Sequence, residues 1–386
     1  MIKINPYFLL MMSCMIFLTG CTSQRIVDKI QVIQGIGYDV VDDKIKGTVI
    51  YPIFEEKGKS RLKIYETESN SYHDILPRLN SKSAFPIEIG QLRMILFGSK
   101  FAKRGIDKVL YSYSRDPVAG SRIQIGVAEH LADDFLLRSK EENVPFHLSN
   151  KIVHNIQKGN LPATNLHVFL ARLYAEGMDP YLPYFIMEKN QIKIDGLALF
   201  RKGRFIRPIS LRQSFILKTL LDGAKNASYQ IDIKNKGVMQ LKNLSAKVHF
   251  TIVQTDPIPK IAIDLTMDTE IKDVPPGTLL TGTKNLRDLE KLIGKHFNDD
   301  IRNLISLFQK HRTDPLGLGD LVRAKSRNWD YKRFQDEIYP QLKTEVNTKV
   351  NIIQTGAGEC LISVSCCTIF LLFCCSSITS FQADSA

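Results

Sequence analysis

The chain has 386 residues, of which 44% are hydrophobic and 24% charged, an ordinary composition for a globular protein with room for two or three domains. Its 52 Lys and Arg residues outnumber its 40 Asp and Glu residues, giving a formal net charge of +12. This excess suits an anionic lipid surface, and a solvated surface with a positive bias explains it as well. The basic residues are dispersed and match no nucleic-acid-binding pattern, so we expect no nucleic acid among the partners.

The first 20 residues have the organisation of an export signal. Lys3 supplies a positive charge, and residues 7–18 form an uncharged apolar run that is too short to span a bilayer comfortably. The run ends in Leu18-Thr19-Gly20-Cys21, which resembles the bacterial lipobox, where the cysteine is lipidated and the signal is cleaved ahead of it. We therefore predict a membrane tether of diacylglycerol and an N-acyl chain at Cys21, because two or more chains hold a protein stably. The alternative is an uncleaved anchor with an incidental cysteine.

Strand and helix patterns alternate from the end of this signal to about residue 200. The segment Gly35-Ile36-Gly37-Tyr38-Asp39 follows a strand-like run. It fails as a dinucleotide fingerprint because Val40 stands where a third glycine belongs, so we interpret it as a strand with a turn or bulge. The other predicted strands are 48–54, 62–68, 93–97, 122–128, 184–187 and 192–200, and the predicted helices begin near 71, cover 100–113 and occupy most of 131–176.

The second half of the chain shows the clearest periodicity. Apolar and polar residues alternate over 244–252 and again over 261–267, and the short link between the two runs predicts an antiparallel pair. Residues 286–308 predict a long amphipathic helix, and residues 346–352 predict a last strand. The predicted fold class is α+β and multi-domain, with mixed or antiparallel sheets flanked by long amphipathic helices, and not a doubly wound sheet.

We predict four segments along the chain. They are a lipoprotein signal peptide over 1–20, an N-terminal domain over 21–195, a C-terminal domain over 196–359, and a hydrophobic tail over 360–386. The tail holds five of the seven cysteines and one charge, Asp384. Three interpretations of it stay open: a second membrane anchor, a non-native extension from a shifted reading frame, and a buried segment.

No sequence pattern supports catalysis. No cysteine lies between Cys21 and Cys360, so the body of the chain has no disulfide framework, thiolate metal site or cysteine nucleophile. His154 and His167 do not have a recognised metal spacing. Neighbouring carboxylates at 133–134 and at 299–300 point to different faces of predicted helices, so neither pair can act as a unit. We expect no active site, no metal and no cofactor besides the lipid at Cys21.

Several segments, in this order, carry a resemblance to one known family. They are the lipobox, the Gly35–Asp39 segment, Gln91-Leu92-Arg93, the run from Asp314 to Asp320 (DPLGLGD), and a strand that ends at Thr355-Gly356. Over residues 18–356 the sequence is similar to the Ger(x)C spore germination lipoproteins, the C subunit of nutrient germinant receptors. The tail departs from the family pattern. By physical chemistry alone, Pro315 ends a helix and Gly317 and Gly319 permit unusual backbone angles, so the run also predicts a compact turn presenting the next helix.

The resemblance implies a lipid-anchored, non-enzymatic protein on the outer face of the bacterial cell membrane, here the spore inner membrane. Its implied partners are the integral-membrane A and B subunits of a receptor that triggers germination in response to nutrients. Contact with the nutrient itself is left open. One alternative is a solute-binding lipoprotein of an importer, which the strands at 244–267 argue against because such proteins use parallel strands in repeated βαβ units. Another is a cell-envelope hydrolase, for which no nucleophile or metal constellation is found.

Overall fold

The fold is built on an eight-stranded sheet and a four-stranded sheet, with one additional short strand pair. The computed structural model describes residues 30–54, 60–120, 122–223, 225–233, 237–276, 278, 280 and 282–355. The predicted signal peptide, the lipidation site Cys21 and the tail over 360–386 lie outside these residues.

The elements in the described part of the chain are numbered in chain order. The strands are β1 (Gln31–Val32), β2 (Gly35–Val41), β3 (Lys44–Phe54), β4 (Ser60–Ser69), β5 (Ile87–Glu88), β6 (Met94–Gly98), β7 (Gln124–Ala128), β8 (Tyr181–Glu188), β9 (Gln191–Arg201), β10 (Arg204–Ser210), β11 (Ala227–Ile233), β12 (Gly237–Gln254), β13 (Lys260–Asp273) and β14 (Lys343–Thr355). The helices are α1 (Ile75–Lys82), α2 (Ser99–Arg104), α3 (Asp107–Arg115), α4 (Ala132–Glu142), α5 (His147–Gln157), α6 (Leu166–Tyr174), α7 (Leu211–Asp222), α8 (Thr283–Lys310) and α9 (Leu318–Lys325). Short helical turns occur at Tyr72–Asp74, Tyr331–Arg333, Phe334–Ile338 and Tyr339–Gln341.

The eight-stranded sheet has the strand order β10-β9-β8-β7-β6-β2-β3-β4. Its four central strands β8, β7, β6 and β2 are parallel, while the flanking pairs are antiparallel. Helices α1, α2, α3 and α6 pack on one face, and α4, α5 and α7 pack on the other. The α+β class with a mixed sheet is confirmed, but the parallel centre was not foreseen. The strands β6 and β7 have five residues each and are buried, and so short a strand does not reveal the direction of its neighbours.

The eight-stranded sheet extends across the predicted division between residues 195 and 196. That division lies inside β9, which pairs with β8 on one side and with β10 on the other. The four-stranded sheet begins later, at Ala227. The boundary between two domains at residues 195 and 196 therefore stays a prediction.

The four-stranded sheet has the order β11-β12-β13-β14. The predicted antiparallel pair is confirmed, with Val248 opposite Leu265 in the pairing of β12 with β13. The predicted long helix is confirmed as α8. It also covers the outer edge of β14, where the Ile352 N–H donates to Glu290 Oε1 at 3.0 Å and Gln309 Nε2 donates to Leu342 O at 2.7 Å. This cover blocks an edge that would otherwise pair with other chains.

One hydrophobic core joins the two sheets. It includes Phe185 on the larger sheet, Leu136 on α4, Phe215 on α7, Leu265 on the smaller sheet and Ile293 on α8. A second core fills the opposite face of the eight-stranded sheet. Because the first core is shared, the two sheets form a single packed body.

Candidate functional site

The carboxylates singled out in the sequence are divided between different partners. Asp133 is buried and accepts hydrogen bonds from Lys46 Nζ at 2.7 Å and Thr48 Oγ1 at 2.9 Å, while Asp134 is exposed. Asp299 accepts from Arg302 at 3.3 Å, and Asp300 accepts from Arg212 at 3.0 Å. In each pair, therefore, the two carboxylates lie in different surroundings.

The two histidines singled out in the sequence lie apart on exposed surfaces, His154 on α5 and His167 on α6. Among the described residues, no group of three or more His, Cys, Asp or Glu side chains could hold a metal ion.

The segment Gly35–Asp39 forms most of β2 and holds the start of α4. It is a strand, as predicted, but its pairing with β3 contains no bulge, and the turn follows at Asp42 and Asp43. The buried Asp39 carboxylate accepts the Ala132 N–H at 2.7 Å and the Asp133 N–H at 3.0 Å. These are two of the N–H groups that a helix start leaves unpaired.

Burial raises the pKa of Asp39 to about 6, although the two backbone hydrogen bonds lower it. The glycines around it make room for this arrangement. A Cβ on Gly98 would lie 2.0 Å from Asp39 Oδ1, and a Cβ on Gly37 would lie 2.9 Å from Leu136 of α4. The glycines of this segment therefore serve close packing of a strand against a helix.

The run from residue 313 to residue 320 forms a loop and the first residues of α9, together called the junction loop here, around the buried carboxylate of Asp314. That carboxylate accepts the N–H groups of Gly317 at 2.9 Å, Leu318 at 3.1 Å and Gly319 at 2.7 Å. Leu318 is the first residue of α9, so the predicted compact turn that presents the next helix is confirmed. Burial is the main cause that raises the pKa of Asp314 to about 7, and the nearby Asp179 carboxylate raises it further.

The junction loop docks on a second loop that begins at Gly177. The Asp314 N–H donates to Asp179 Oδ2 at 2.8 Å, and the Asp179 N–H donates to Asp314 O at 2.8 Å. The Asp320 N–H donates to Gly177 O at 2.9 Å. Burial raises the pKa of Asp179 to about 6. No local signal around Asp179 reveals a partner that lies 135 residues away.

Glycine and arginine residues complete this junction. A Cβ on Gly177 would lie 2.5 Å from the Asp320 nitrogen, and Gly177 has a φ of +93°. Arg172 lies over the Tyr181 ring at 4.8 Å, donates to Asp179 O at 3.2 Å and also donates to Pro315 O. Both buried carboxylates bind backbone N–H groups. The junction therefore holds the C-terminal part of the chain against the N-terminal part, which is a structural role.

Comparison with known proteins identifies the family. The family model "Spore germination protein N-terminal domain" matches residues 23–187, and "Spore germination B3/ GerAC like, C-terminal" matches residues 195–356. The chain belongs to the Ger(x)C family of spore germination proteins. Members of this family are C subunits of germinant receptors, and this chain is such a subunit, involved in spore germination.

Individual Ger(x)C relatives cover nearly the whole chain. Spore germination protein GerQC of Bacillus cereus is 29% identical over 349 residues, which span 89% of this chain and 97% of that protein. Spore germination protein KC of Bacillus subtilis (strain 168) is 21% identical over 388 residues, spanning 90% of this chain and 95% of that protein. The crystal structure of the GerBC protein matches with a TM-score of 0.52 at 16% identity, covering 83% of this chain and 97% of that one, so it shares the fold.

The segments that carried the family resemblance have structural roles in this Ger(x)C chain. Gly35–Asp39 positions α4 and Asp314–Asp320 forms the junction loop, while in Gln91-Leu92-Arg93 only Leu92 is buried. Across the described ranges, no helix is both long and apolar enough to cross a membrane.

Proposed function

We propose that this chain is a lipid-anchored, non-enzymatic C subunit of a nutrient germinant receptor, held on the outer face of the spore inner membrane through diacylglycerol and an N-acyl chain at Cys21. The observation that carries the proposal is the match of both spore germination family models, which begins at residue 23 and ends at residue 356. The lipobox ending at Cys21 supports the anchor. Ile30, the first described residue, follows Cys21 by nine residues, so an extended link spans about 30 Å and keeps the body close to the bilayer.

A structural and interaction role is supported by the way the buried carboxylates are used. Asp39, Asp179 and Asp314 all accept backbone N–H groups, and so hold helices and loops in place. The resulting rigid body offers surfaces for the integral-membrane A and B subunits, which are the partners we propose. Neither the fold nor the comparisons favour a solute-binding lipoprotein. Because the larger sheet has a parallel centre, the antiparallel strands at 244–267 no longer argue against a solute-binding lipoprotein. The match to the two family models favours the receptor subunit over that alternative.

The proposal is tested with spores that carry Cys21→Ala, compared with a full deletion, with wild type and with Cys14→Ala. Cys14 lies in the apolar run of the signal, so its substitution is a matched control. We expect Cys21→Ala and the deletion to abolish dipicolinate release in response to one class of nutrients while non-nutrient triggers still act, and Cys14→Ala to behave as wild type. A normal nutrient response of the deletion, in a strain without sister receptors, would refute the receptor role.

Lipidation is measured separately on the mature protein. Mass spectrometry is expected to show an N-terminal Cys21 that carries the mass of a diacylglycerol and an acyl chain. An uncleaved, unmodified chain would contradict the lipid anchor. The receptor role would then still be tested by the germination experiment.

A further inference from the structure

A surface cavity with two arginines lies at the end of the eight-stranded sheet where β6 and β7 begin. Its volume is about 430 Å³. We call it the arginine cavity, and its lining residues are Arg93, Arg122, Gln124, Phe146, Ser149, Asn150 and Val153. Arg93 comes from the segment Gln91-Leu92-Arg93, whose conspicuous arginine has no role in the fold described above.

The two guanidinium groups of this cavity are available for a ligand. Both side chains are exposed, and within the described ranges neither of them has an ion pair, while Arg93 lies over the Phe146 ring at 5.9 Å. The backbone around Arg93 is fixed, because the N–H groups of Arg93 and Met94 both donate to Gln34 O, at 2.9 and 3.2 Å. Two guanidinium groups that line one cavity are suited to bind phosphate or carboxylate oxygens through paired hydrogen bonds.

Neutral polar groups of the cavity can bind the remainder of such a ligand. Gln124 Oε1 is buried and has no hydrogen-bond partner among the residues that the structure describes, whereas Gln124 Nε2 donates to Arg122 O at 3.4 Å. The side chains of Ser149 and Asn150 also line the cavity and can form hydrogen bonds with a hydroxyl next to a phosphate. The combination fits a phosphate ester with a hydroxylated head group.

The arginine cavity is close to the point where the chain enters the fold. Gln34 contacts both sides of the cavity, because its carbonyl accepts the Arg93 N–H and its side-chain Oε1 accepts the Phe146 N–H at 3.3 Å. Only 13 residues separate Gln34 from Cys21, a distance of about 45 Å at full extension. A lipid at Cys21 therefore keeps the cavity within reach of the membrane surface.

Exposed apolar side chains lie at or near the cavity at this end of the molecule. Val153 is 38% exposed and lines the cavity, and Val144 is 46% exposed and lies two residues before the cavity residue Phe146. Val118 is 46% exposed and lies beside Gly90, in the loops that lead into β7 and β6. Arginines bordered by apolar side chains are typical of surfaces that meet the boundary between lipid head groups and acyl chains.

We propose that this end of the chain docks on the membrane and that the arginine cavity binds the phosphate of an anionic phospholipid with a hydroxylated head group, of the phosphatidylglycerol type. The proposal rests on the proposed membrane location of the protein, but lipid binding is measured independently of the anchor. Each arginine near an anionic surface strengthens the binding of an anionic lipid. We therefore expect the loss of both arginines to lower the affinity for that lipid roughly tenfold to thirtyfold.

The test uses native mass spectrometry of the full lipidated chain in detergent, titrated with phosphatidylglycerol and with phosphatidylcholine. The variant is Arg93→Gln/Arg122→Gln. The matched control is Arg287→Gln/Arg327→Gln, which removes the same charge at exposed positions of the C-terminal region. We expect wild type and control to prefer phosphatidylglycerol, the cavity variant to lose about tenfold or more in affinity, and Arg93→Lys/Arg122→Lys to retain part of it. Unchanged thermal unfolding midpoints show that the variants are folded.

Three results would overturn the proposal. Equal binding of phosphatidylglycerol and phosphatidylcholine would show that the cavity does not select an anionic head group. An equal loss in cavity variant and control would show a general charge effect. Displacement of the lipid by millimolar inorganic phosphate would assign the cavity to a soluble anion. The experiment on Cys21→Ala can fail without affecting this test, because the head-group preference of the cavity is measured separately.

Discussion

Asp179 and Asp314, which are 135 residues apart, bind each other's backbone at the junction of the chain. The Asp314 N–H donates to Asp179 Oδ2, the Asp179 N–H donates to Asp314 O, and both distances are 2.8 Å. Asp314 then uses both of its own carboxylate oxygens on the loop that starts α9. Asp179 and Asp314 are buried acidic residues of the kind that active sites contain. In this germination protein they connect the N-terminal and C-terminal parts of the chain through hydrogen bonds.

The Asp314 carboxylate makes a large contribution to the stability of the fold. Replacing it with alanine leaves the buried Leu318 and Gly319 N–H groups without their acceptor and leaves the Gly317 N–H with Asp314 O at 3.3 Å. We therefore expect Asp314→Ala to lower the free energy of unfolding by about 2–4 kcal/mol. Denaturant unfolding followed by Trp329 fluorescence measures this, because Trp329 lies at the junction and its Nε1 donates to Glu176 at 2.8 Å. The control Asp320→Ala removes a carboxylate that pairs with the exposed Arg323 and costs less than about 1 kcal/mol. Equal losses in the two variants would contradict the assigned role.

The buried carboxylates give the stability a defined pH dependence. The pKa values of Asp314 at about 7, and of Asp179 and Asp39 at about 6, are all raised from 3.8. A carboxyl with a raised pKa binds its proton more tightly in the folded state, so its stabilising contribution is full below pH 4 and is lost as pH rises through 6 to 7. We expect the free energy of unfolding to increase as the pH falls from 8 to 5.5. Asp314→Asn should flatten this slope, and an unchanged slope would show that Asp314 is not its source.

Close packing at Gly98 forbids a side chain there. A Cβ would lie 2.0 Å from Asp39 Oδ1 and 2.8 Å from His130 O, so we expect Gly98→Ala to displace the Asp39 cap and cost about 2–4 kcal/mol. Gly120→Ala is the matched control, because no atom of the described residues lies within 4 Å of its Cβ position. Thermal unfolding of the two variants measures the difference. A Gly98→Ala protein as stable as the control would disprove the close approach.

The contact of α8 with the edge of β14 reverses the usual effect of a helix substitution. Glycine to alanine in an exposed helix stabilises by about 1 kcal/mol. At Gly294, however, a Cβ would lie 2.8 Å from Thr348 O, so we expect Gly294→Ala to destabilise the fold by about 1–2 kcal/mol. Lys295→Ala, at the neighbouring exposed position, should change stability by less than about 0.5 kcal/mol. The sign of the change at Gly294, measured by denaturant unfolding, decides the outcome.

The periodic elements of the second half were predictable because each encodes its own burial. In β13 the residues Ile261, Ile263, Leu265 and Met267 are buried while their neighbours are more exposed, which is the alternation that the sequence displays. The long helix α8 likewise buries one stripe, including Ile293, Phe297 and Ile301. A pattern of this kind determines which face of an element turns inward, and the short link between β12 and β13 determines that they pair.

Only the tertiary structure decided which distant segments meet. The parallel neighbours β6 and β7 are short and buried, and their sequences carry no information about which strands they pair with. Asp314 was predicted to lie in a compact turn, but its partner Asp179 is 135 residues away, and the cavity formed by Arg93 and Arg122 joins the starts of two separate strands. The sequence determined local periodicity, turn chemistry and the family resemblance, because these depend on neighbouring residues. Pairing across the sheet and docking of loops depend on packing over the whole body, and therefore required the fold.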